Sequence, residues 1–260
     1  MEFETITYEA RDRVGLLHFN RPEGANAVNP TFARELRAAM LEIAYDDDVR
    51  AVAVTAEGKV FCAGGDLKLF HAWGDQMARH AHDMLVDFHA AIHMMNHTPK
   101  PFVAGIRGAA GGAGMSLMSA FDLVVSAESA KYTMAYTRAG VTPDGTSSYF
   151  VARHIGLRRM LDLTLTNRVL TAEEAESWGL VNRVVTDDDV DQAALDMATQ
   201  LASGATSALG EAKRVIYNGI DATLETASEF EAKMITKAMA SADGLEGVAA
   251  FVEKRTPEFE

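Results

Sequence analysis

The chain is poor in cysteine and in basic residues. Its 260 residues include one cysteine, Cys62, which excludes an internal disulfide and a cysteine-based metal site. Lysine and arginine number 24 against 37 aspartates and glutamates, a formal net charge of −13 at pH 7. That charge argues against nonspecific binding to nucleic acid or to an anionic membrane, since both need a basic face.

Long apolar runs and a recognisable leader are also missing. No uninterrupted apolar stretch is long enough to span a bilayer, and the acidic start at residues 1–4 does not resemble a signal or transit peptide. A lone cysteine suits a reducing compartment. We therefore expect a cytoplasmic protein that does not enter membranes.

Histidines are clustered but lack the partners of a metal site. Six of the eight lie between His71 and His97, and His89, His93 and His97 share one helical face. No HExxH motif is present and no acidic residue lies close on that stripe. We predict no metal site.

Strand and helix patterns alternate in the first part of the chain. Hydrophobic residues make up 48% of the composition, enough for a sizeable core. The predicted strands are 6–10 and 14–20 as a hairpin, then 49–55, one opening the segment 101–118, 122–126, 131–134 and 180–184. The predicted helices are 30–45, 75–96, 151–166, 172–178, 190–201, 207–217, 223–239 and 245–254. For the first of them Asn29 is the expected N-cap and Pro30 the first-turn proline, and the residues expected to face inward are Phe32, Leu36, Met40, Leu41 and Ile43. This alternation predicts an α/β protein with a mostly parallel sheet, followed by a helical layer from Ser147 onward.

Two loops rich in glycine and alanine each follow a buried strand. One is 61–68, after the strand 49–55; the other lies within 101–118, where a strand passes through a tight turn into a helix. Backbone amides without bulky neighbours can approach a ligand oxygen closely. Together the loops can aim two N–H groups, from Gly65 and Ala113, at one carbonyl oxygen, an arrangement that stabilises an enolate or oxyanion.

Several motifs occur in an order that covers nearly the whole chain. They are 61–68 (FCAGGDLK), 99–101 (PKP) leading to 108–114 (GAAGGAG), 165–168 (LTNR), 172–175 (AEEA), 178–181 (WGLV) and 251–255 (FVEKR). Together they resemble the enoyl-CoA hydratase/isomerase (crotonase) superfamily, and most closely its isomerase-like members.

The resemblance implies a crotonase (ClpP-like) α/β fold, a spiral of stacked ββα units in residues 1–200. Residues 201–260 would form a C-terminal helical region that assembles trimers or dimers of trimers and closes the CoA pocket. The substrate would be an acyl-CoA thioester, with no further cofactor. Its carbonyl oxygen would sit between the amides of Gly65 and Ala113.

The resemblance also implies residues around the acyl-CoA. The implied contacts are Ala25, Ala27, Ala63, Gly64, Asp66, Leu67, Lys68, His89, Gly112, Tyr136 and Lys254. The CoA phosphates need cations, for which Arg21, Lys68 and Lys254 of this or a neighbouring subunit are candidates.

Hydratases of the superfamily carry two glutamates at positions that read Ser116 and Tyr136 here, so simple hydratase activity is not expected. Asp144 occupies a third acidic position and resembles the single proton-transferring acid of enoyl-CoA isomerases. We predict Δ3-Δ2 enoyl-CoA isomerase activity with Asp144 as the base. The alternative role for Asp144 is an N-cap of the helix that follows.

A second reaction uses the same aspartate. In the 4-chlorobenzoyl-CoA dehalogenases of the superfamily it is the nucleophile, and Tyr136 and His89 match the positions of their pocket aromatic and their water-activating histidine. Those enzymes carry a bulky aromatic where this chain has Gly65, which makes the dehalogenase the alternative. A hydratase and a catalytically inactive acyl-CoA-binding homologue are further alternatives, and His89 can equally be a pocket wall.

Overall fold

The computed structural model describes residues 3–259; residues 1, 2 and 260, and with them part of the predicted acidic start, lie outside the description. Within 3–259, no helix combines the length and the apolar character that a membrane crossing requires.

Nine strands and eleven α-helices follow one another along this range. The strands are β1 Ile6–Arg11, β2 Val14–Phe19, β3 Ala51–Ala56, β4 Phe102–Ile106, β5 Ala109–Gly111, β6 Leu123–Ala127, β7 Lys131–Thr133, β8 Val169–Thr171 and β9 Arg183–Val185. The helices are α1 Pro30–Tyr45, α2 Leu67–Ala72, α3 Met77–His97, α4 Ala113–Met118, α5 Ser147–Ile155, α6 Leu157–Thr166, α7 Ala172–Ser177, α8 Val190–Ala202, α9 Thr206–Asp221, α10 Leu224–Met239 and α11 Ala242–Glu253.

A six-stranded sheet forms the centre, in the order β1-β2-β3-β4-β6-β9. Only the β1–β2 hairpin is antiparallel; the other four pairings are parallel. Every residue of β4 is buried, as expected for a parallel strand covered on both faces. The α/β class with a mostly parallel sheet is confirmed.

A second sheet, β5-β7-β8, begins where β4 turns into the second glycine-rich loop. Strand β5 pairs parallel with β7, and β7 pairs antiparallel with β8. The two sheets are therefore joined by the short segment between β4 and β5, at the point where α4 begins.

Helix α1 begins as its sequence predicts. The Asn29 side chain accepts a hydrogen bond from the Phe32 N–H at 2.8 Å, and Pro30 occupies the first turn. Phe32 is buried with most of the residues predicted to face inward. Leu41 was expected on the same face and is 37% exposed, so that part of the prediction is wrong.

The structure differs from the predicted secondary structure in several places. The single helix predicted over 151–166 is two helices, because Gly156 has φ +81° and ψ 157° and separates α5 from α6. The last predicted strand, 180–184, is found as β9, shifted toward the C-terminus. Helix α2, which follows the first glycine-rich loop, was not predicted.

A buried ion pair fastens the helical layer to the sheet. Lys213 of α9 lies with its Nζ 2.9 Å from Asp122, and the same Nζ donates to the carbonyls of Met95 and Lys100. The Lys213 side chain is only 6% exposed. Helices α10 and α11 follow this anchor and carry many exposed apolar side chains.

Candidate active site

The first glycine-rich loop lies between two other extended segments. Val28 forms an isolated parallel bridge with Gly65, and Cys62 forms another with Ala110. The loops 25–28 and 61–66 and strand β5 therefore lie side by side. This pairing holds the two glycine-rich loops next to each other.

The hydrogen bonds of the first bridge determine where the Gly65 amide points. Gly64 O accepts from Val28 N–H at 2.7 Å, and Asp66 N–H donates to Val28 O at 3.0 Å. In a parallel bridge these flanking groups make the bonds, so the N–H of Gly65 faces away from Val28. Within residues 3–259 no backbone acceptor is found for this N–H.

The second amide lies across a close contact between the loops. A Cβ on Gly64 would stand 2.9 Å from Gly111 O and 3.5 Å from Ala113 N, and Gly64 has φ +112°, so only glycine fits here without strain. Ala113 is the first residue of α4, where an N–H has no partner inside its own helix. The structure thus brings Gly65 and Ala113, the two predicted donors, into touching loops.

Asp144 and His89 meet although they are distant in sequence. His89 Nε2 lies 2.8 Å from Asp144 Oδ1, and the two side chains are 37% and 28% exposed. An ionised carboxylate only accepts, so His89 donates from Nε2 in that state. No hydrogen-bond partner is found for Asp144 Oδ2 in the described chain.

The capping role considered for Asp144 is not observed. The N-cap of α5 is Thr146, and no side chain makes a capping hydrogen bond there. Only the backbone carbonyl of Asp144 serves the helix, accepting from the N–H of Ser147 at 3.3 Å and from its hydroxyl at 3.0 Å. The carboxylate takes no part in the cap, and His89 contacts one of its oxygens.

Neutral hydroxyls occupy positions 116 and 136, for which the resemblance implies glutamates in hydratases. Ser116 Oγ and Tyr136 OH are 2.8 Å apart, and Tyr136 OH also donates to Asp144 O at 3.1 Å. Burial raises the pKa of Tyr136, so the phenol stays protonated at neutral pH. A Cβ on Gly145 would come within 2.9 Å of Ser116, so the Asp144 loop packs directly on α4, one turn from Ala113.

Cys62 is a packed residue of the first loop. It is fully buried, and burial raises the pKa of its thiol to about 12. A nucleophilic cysteine needs a lowered pKa, so the thiol is not activated.

Arg21 organises the loops internally. Its guanidinium lies 2.6 Å from Asp66 Oδ2 and donates to Ala27 O at 3.0 Å. Asp66 also caps α2 by accepting from Leu69 N–H. Arg21 and Asp66 were predicted next to the CoA, and the structure pairs them with each other.

Asn26 lies in the loop 25–28, along which the resemblance places CoA, and holds that loop together, a role that sequence reasoning did not assign to it. It is buried with φ +51°, its side-chain amide donates to Glu57 O and Val60 O, and its Oδ1 accepts from Arg21 N–H. The available signal was an asparagine inside a glycine-bearing loop, because asparagine tolerates the left-handed region.

Several predicted CoA contacts line the edges of the paired loops. Ala63 N–H donates to Ala25 O at 3.0 Å, while Ala63 itself is exposed. Ala27 is buried, and Gly112 N–H donates to Thr133 O at 3.0 Å. These residues lie within one continuous strip of backbone.

The two predicted lysines differ in position. Leu67 and Lys68 form the first turn of α2 and are exposed beside the loops. Lys254 ends α11, a helix that packs on α10. Within residues 3–259 no side-chain hydrogen bond or ion pair is found for the ammonium group of Lys68 or of Lys254, while the Lys68 backbone N–H donates to Asp66. The structure places Lys68 beside the paired loops, and Lys254 at the end of the helical layer.

The family model for enoyl-CoA hydratase/isomerase matches residues 9–260. Among solved structures, an enoyl-CoA hydratase from Polaromonas sp. JS666 has a TM-score of 0.94 and 32% identity, over 98% of this chain and 99% of that one. The predicted crotonase fold is therefore confirmed.

Curated relatives carry three different activities in their names. A "Probable enoyl-CoA hydratase" of Mycobacterium bovis is 34% identical over 100% of this chain and 99% of its own length. A 4-chlorobenzoyl coenzyme A dehalogenase of an Arthrobacter species is 34% identical over 96% of this chain and 91% of its own. A 1,2-epoxyphenylacetyl-CoA isomerase of Escherichia coli is 33% identical over 100% and 98%. Identity alone does not separate the three.

Proposed function

This chain belongs to the enoyl-CoA hydratase/isomerase family, and within it we propose that the protein is an enoyl-CoA isomerase with Asp144 as its base. It is an acyl-CoA-processing enzyme of the crotonase superfamily. The observation that carries the isomerase assignment is the Asp144 carboxylate, with Oδ1 held by His89 at 2.8 Å and Oδ2 unpartnered among residues 3–259.

In the proposed reaction Oδ2 of Asp144 removes a C2 proton from a 3-enoyl-CoA and returns it at C4, giving the conjugated 2-enoyl-CoA. The dienolate oxygen is stabilised by the amides of Gly65 and Ala113. One carboxylate serves both carbons if it lies over the C2 to C4 span. His89 keeps Oδ1 occupied and so orients the other oxygen.

Hydration is disfavoured by the pair Ser116 and Tyr136. Adding water across the double bond needs a general base and an acid to activate the water and deliver its proton. Both hydroxyls are neutral, and they are hydrogen-bonded to each other at 2.8 Å. Asp144 supplies the one carboxylate of the proposed reaction, and one such group is enough for an isomerisation.

For CoA we propose the strip formed by loops 25–28 and 63–68, with Lys68 as the phosphate cation from this subunit. Arg21 is not assigned to phosphate, because Asp66 and a backbone carbonyl already take its guanidinium. Lys254 is assigned to CoA only across a subunit interface.

The test of the reaction is the ultraviolet absorbance of a conjugated 2-enoyl thioester formed from trans-3-enoyl-CoA. Asp144→Asn is expected to lower kcat by about 10²- to 10⁴-fold, the usual contribution of a general base, while acyl-CoA binding is retained. Asp47→Asn, on an exposed loop, is the matched control and is expected to behave as wild type. Full activity of Asp144→Asn would refute the role of Asp144. Tight acyl-CoA binding by wild type without turnover would instead favour an inactive binding homologue.

A dehalogenase is the second candidate, supported by the position of His89. A histidine 2.8 Å from Asp144 could activate water to hydrolyse an aryl ester formed on that carboxylate. The test is chloride release from 4-chlorobenzoyl-CoA, with a single turnover in ¹⁸O-labelled water. Chloride release with ¹⁸O in the Asp144 peptide would support this candidate over the isomerase; the absence of both would exclude it.

We further propose a homotrimer or a dimer of trimers, located in the cytoplasm. The support for assembly is a set of exposed apolar side chains on α9, α10 and α11: Ile216, Ile220, Leu224, Ile235, Met239, Leu245, Val248, Phe251 and Val252. A surface of this kind is typical of protein interfaces. Light scattering should give three or six times the mass of the chain; a monomer would contradict the proposal.

A further inference from the structure

One aromatic ring occupies the space that a side chain at position 65 would fill. A Cβ on Gly65 would lie 2.7 Å from Phe70 Cε2 and 2.9 Å from Phe70 Cζ. The ring edge therefore rests on the backbone that carries one of the two oxyanion amides. Any acyl group whose carbonyl oxygen accepts from the Gly65 N–H comes next to this ring.

Phe70 is the first member of a row of rings, Phe70, Trp73 and His80, which we call the aromatic row. Phe70 and Trp73 stack with centroids 5.0 Å apart and planes 21° apart, and Trp73 meets His80 at 5.4 Å. Phe70 and Trp73 are only partly buried, although both pack against the core. Part of the surface of these rings is therefore accessible to a ligand.

Rings also stand on the Asp144 side of the site. Tyr136 donates to the Asp144 carbonyl, and a Cβ on Gly145 would lie 3.0 Å from the ring of Phe88. Phe88 and His89 have their ring centroids 6.4 Å apart. Aromatic side chains therefore lie against the Gly65 backbone and against the loop that carries Asp144.

We propose that Phe70 and the aromatic row select acyl-CoA thioesters whose acyl group carries a ring, in preference to straight alkyl chains. A ring in the ligand can take the offset or edge-to-face geometry that gives aromatic pairs an energy beyond the area they bury, whereas an alkyl chain gains only the area. The inference rests on the proposed function for the ligand being an acyl-CoA and for its carbonyl lying at Gly65. It adds a substrate class that the reaction itself does not determine.

The experiment measures binding of two unreactive thioesters, phenylacetyl-CoA and octanoyl-CoA, by titration calorimetry. Their acyl groups have equal carbon number, so the comparison isolates the ring. Wild type is expected to bind phenylacetyl-CoA about 3- to 10-fold more tightly, the range of aromatic pair energies. Phe70→Leu should bring the ratio to about 1, and Phe70→Tyr, which keeps the ring, should preserve it. Phe3→Leu, a partly buried phenylalanine before β1, is the matched control.

Equal or tighter binding of octanoyl-CoA by wild type would overturn the inference, as would an unchanged ratio in Phe70→Leu or no binding of either thioester. Failure of the reaction is separable, since both ligands are inert. If wild type isomerises no 3-enoyl thioester, the proposed reaction is overturned. If wild type nevertheless prefers phenylacetyl-CoA and Phe70→Leu does not, this inference remains supported.

Discussion

Replacing Lys213 by methionine removes the cation of the buried pair that holds α9 on the sheet. Nζ lies 2.9 Å from Asp122 Oδ2 and donates to two backbone carbonyls, with the side chain 6% exposed. Burial raises the pKa of Asp122 and lowers that of Lys213, so each charge depends on its partner for stabilisation. Methionine fills a similar volume but removes the ammonium group that donates to the carboxylate and to both carbonyls.

The expected loss in the free energy of unfolding is about 3–5 kcal/mol, the usual effect of breaking a buried pair from one side. Against a total of about 5–15 kcal/mol for a typical domain, that is at least about a fifth. Asp122 Oδ2 also accepts from Phe102 N–H at 2.8 Å, and Asp122 Oδ1 accepts from Tyr217 OH at 3.3 Å. An asparagine with its oxygen in the Oδ2 position keeps the first bond, and its NH2 group can donate to the Tyr217 oxygen in place of the second. The double variant Lys213→Met/Asp122→Asn should therefore be about 2 kcal/mol more stable than Lys213→Met, because no unpaired charge remains.

The assay is urea unfolding followed by far-ultraviolet circular dichroism at one fixed protein concentration, since assembly would make stability concentration-dependent. Two results would refute the reasoning. One is a Lys213→Met protein within about 1 kcal/mol of wild type, which would mean that the pair contributes no more than a surface contact. The other is a double variant no more stable than the single one.

Two other substitutions test the loops. A Cβ on Gly114 would lie 2.2 Å from Cys62 O, so Gly114→Ala should displace the turn that presents the second amide and lower kcat about 10²-fold, whereas Gly219→Ala, with open space around it, should leave turnover unchanged. Although burial opposes ionisation, hydrogen bonds from Arg21 and two backbone N–H groups lower the pKa of Asp66 below its ordinary 3.8. A carboxylate with a lower pKa in the folded than in the unfolded state stabilises the fold at pH values above its unfolded pKa. This stabilisation is lost as the pH falls through the folded pKa. Asp66→Asn should therefore melt below wild type at pH 7, and the difference in melting temperature should shrink as the pH falls below about 4. Wild-type kinetics for Gly114→Ala, or a melting difference independent of pH, would contradict these expectations.

The sequence predicted the elements whose signals are local. Alternating strand and helix patterns predict the mostly parallel sheet, and Asn29 followed by Pro30 predicts the start of α1. Gly64 and Gly112 mark the two glycine-rich loops. Where local signals conflict, the prediction failed: Gly156 lies inside a continuous apolar pattern, yet its positive φ divides the predicted helix. Helix α2 was missed because six residues are too few to display a period.

The candidate site divides in the same way. By itself the sequence determined the α/β class, the family, and the amino acids at Gly65, Ala113 and Asp144, because residue type and spacing are properties of the chain. Only the tertiary structure decided that Asp144 faces His89, 55 residues away, and does not cap a helix. It also decided that the Arg21 guanidinium forms an ion pair with Asp66, and that the ring of Phe70 lies against Gly65. These contacts depend on how distant segments pack, and packing leaves no periodic trace in the sequence.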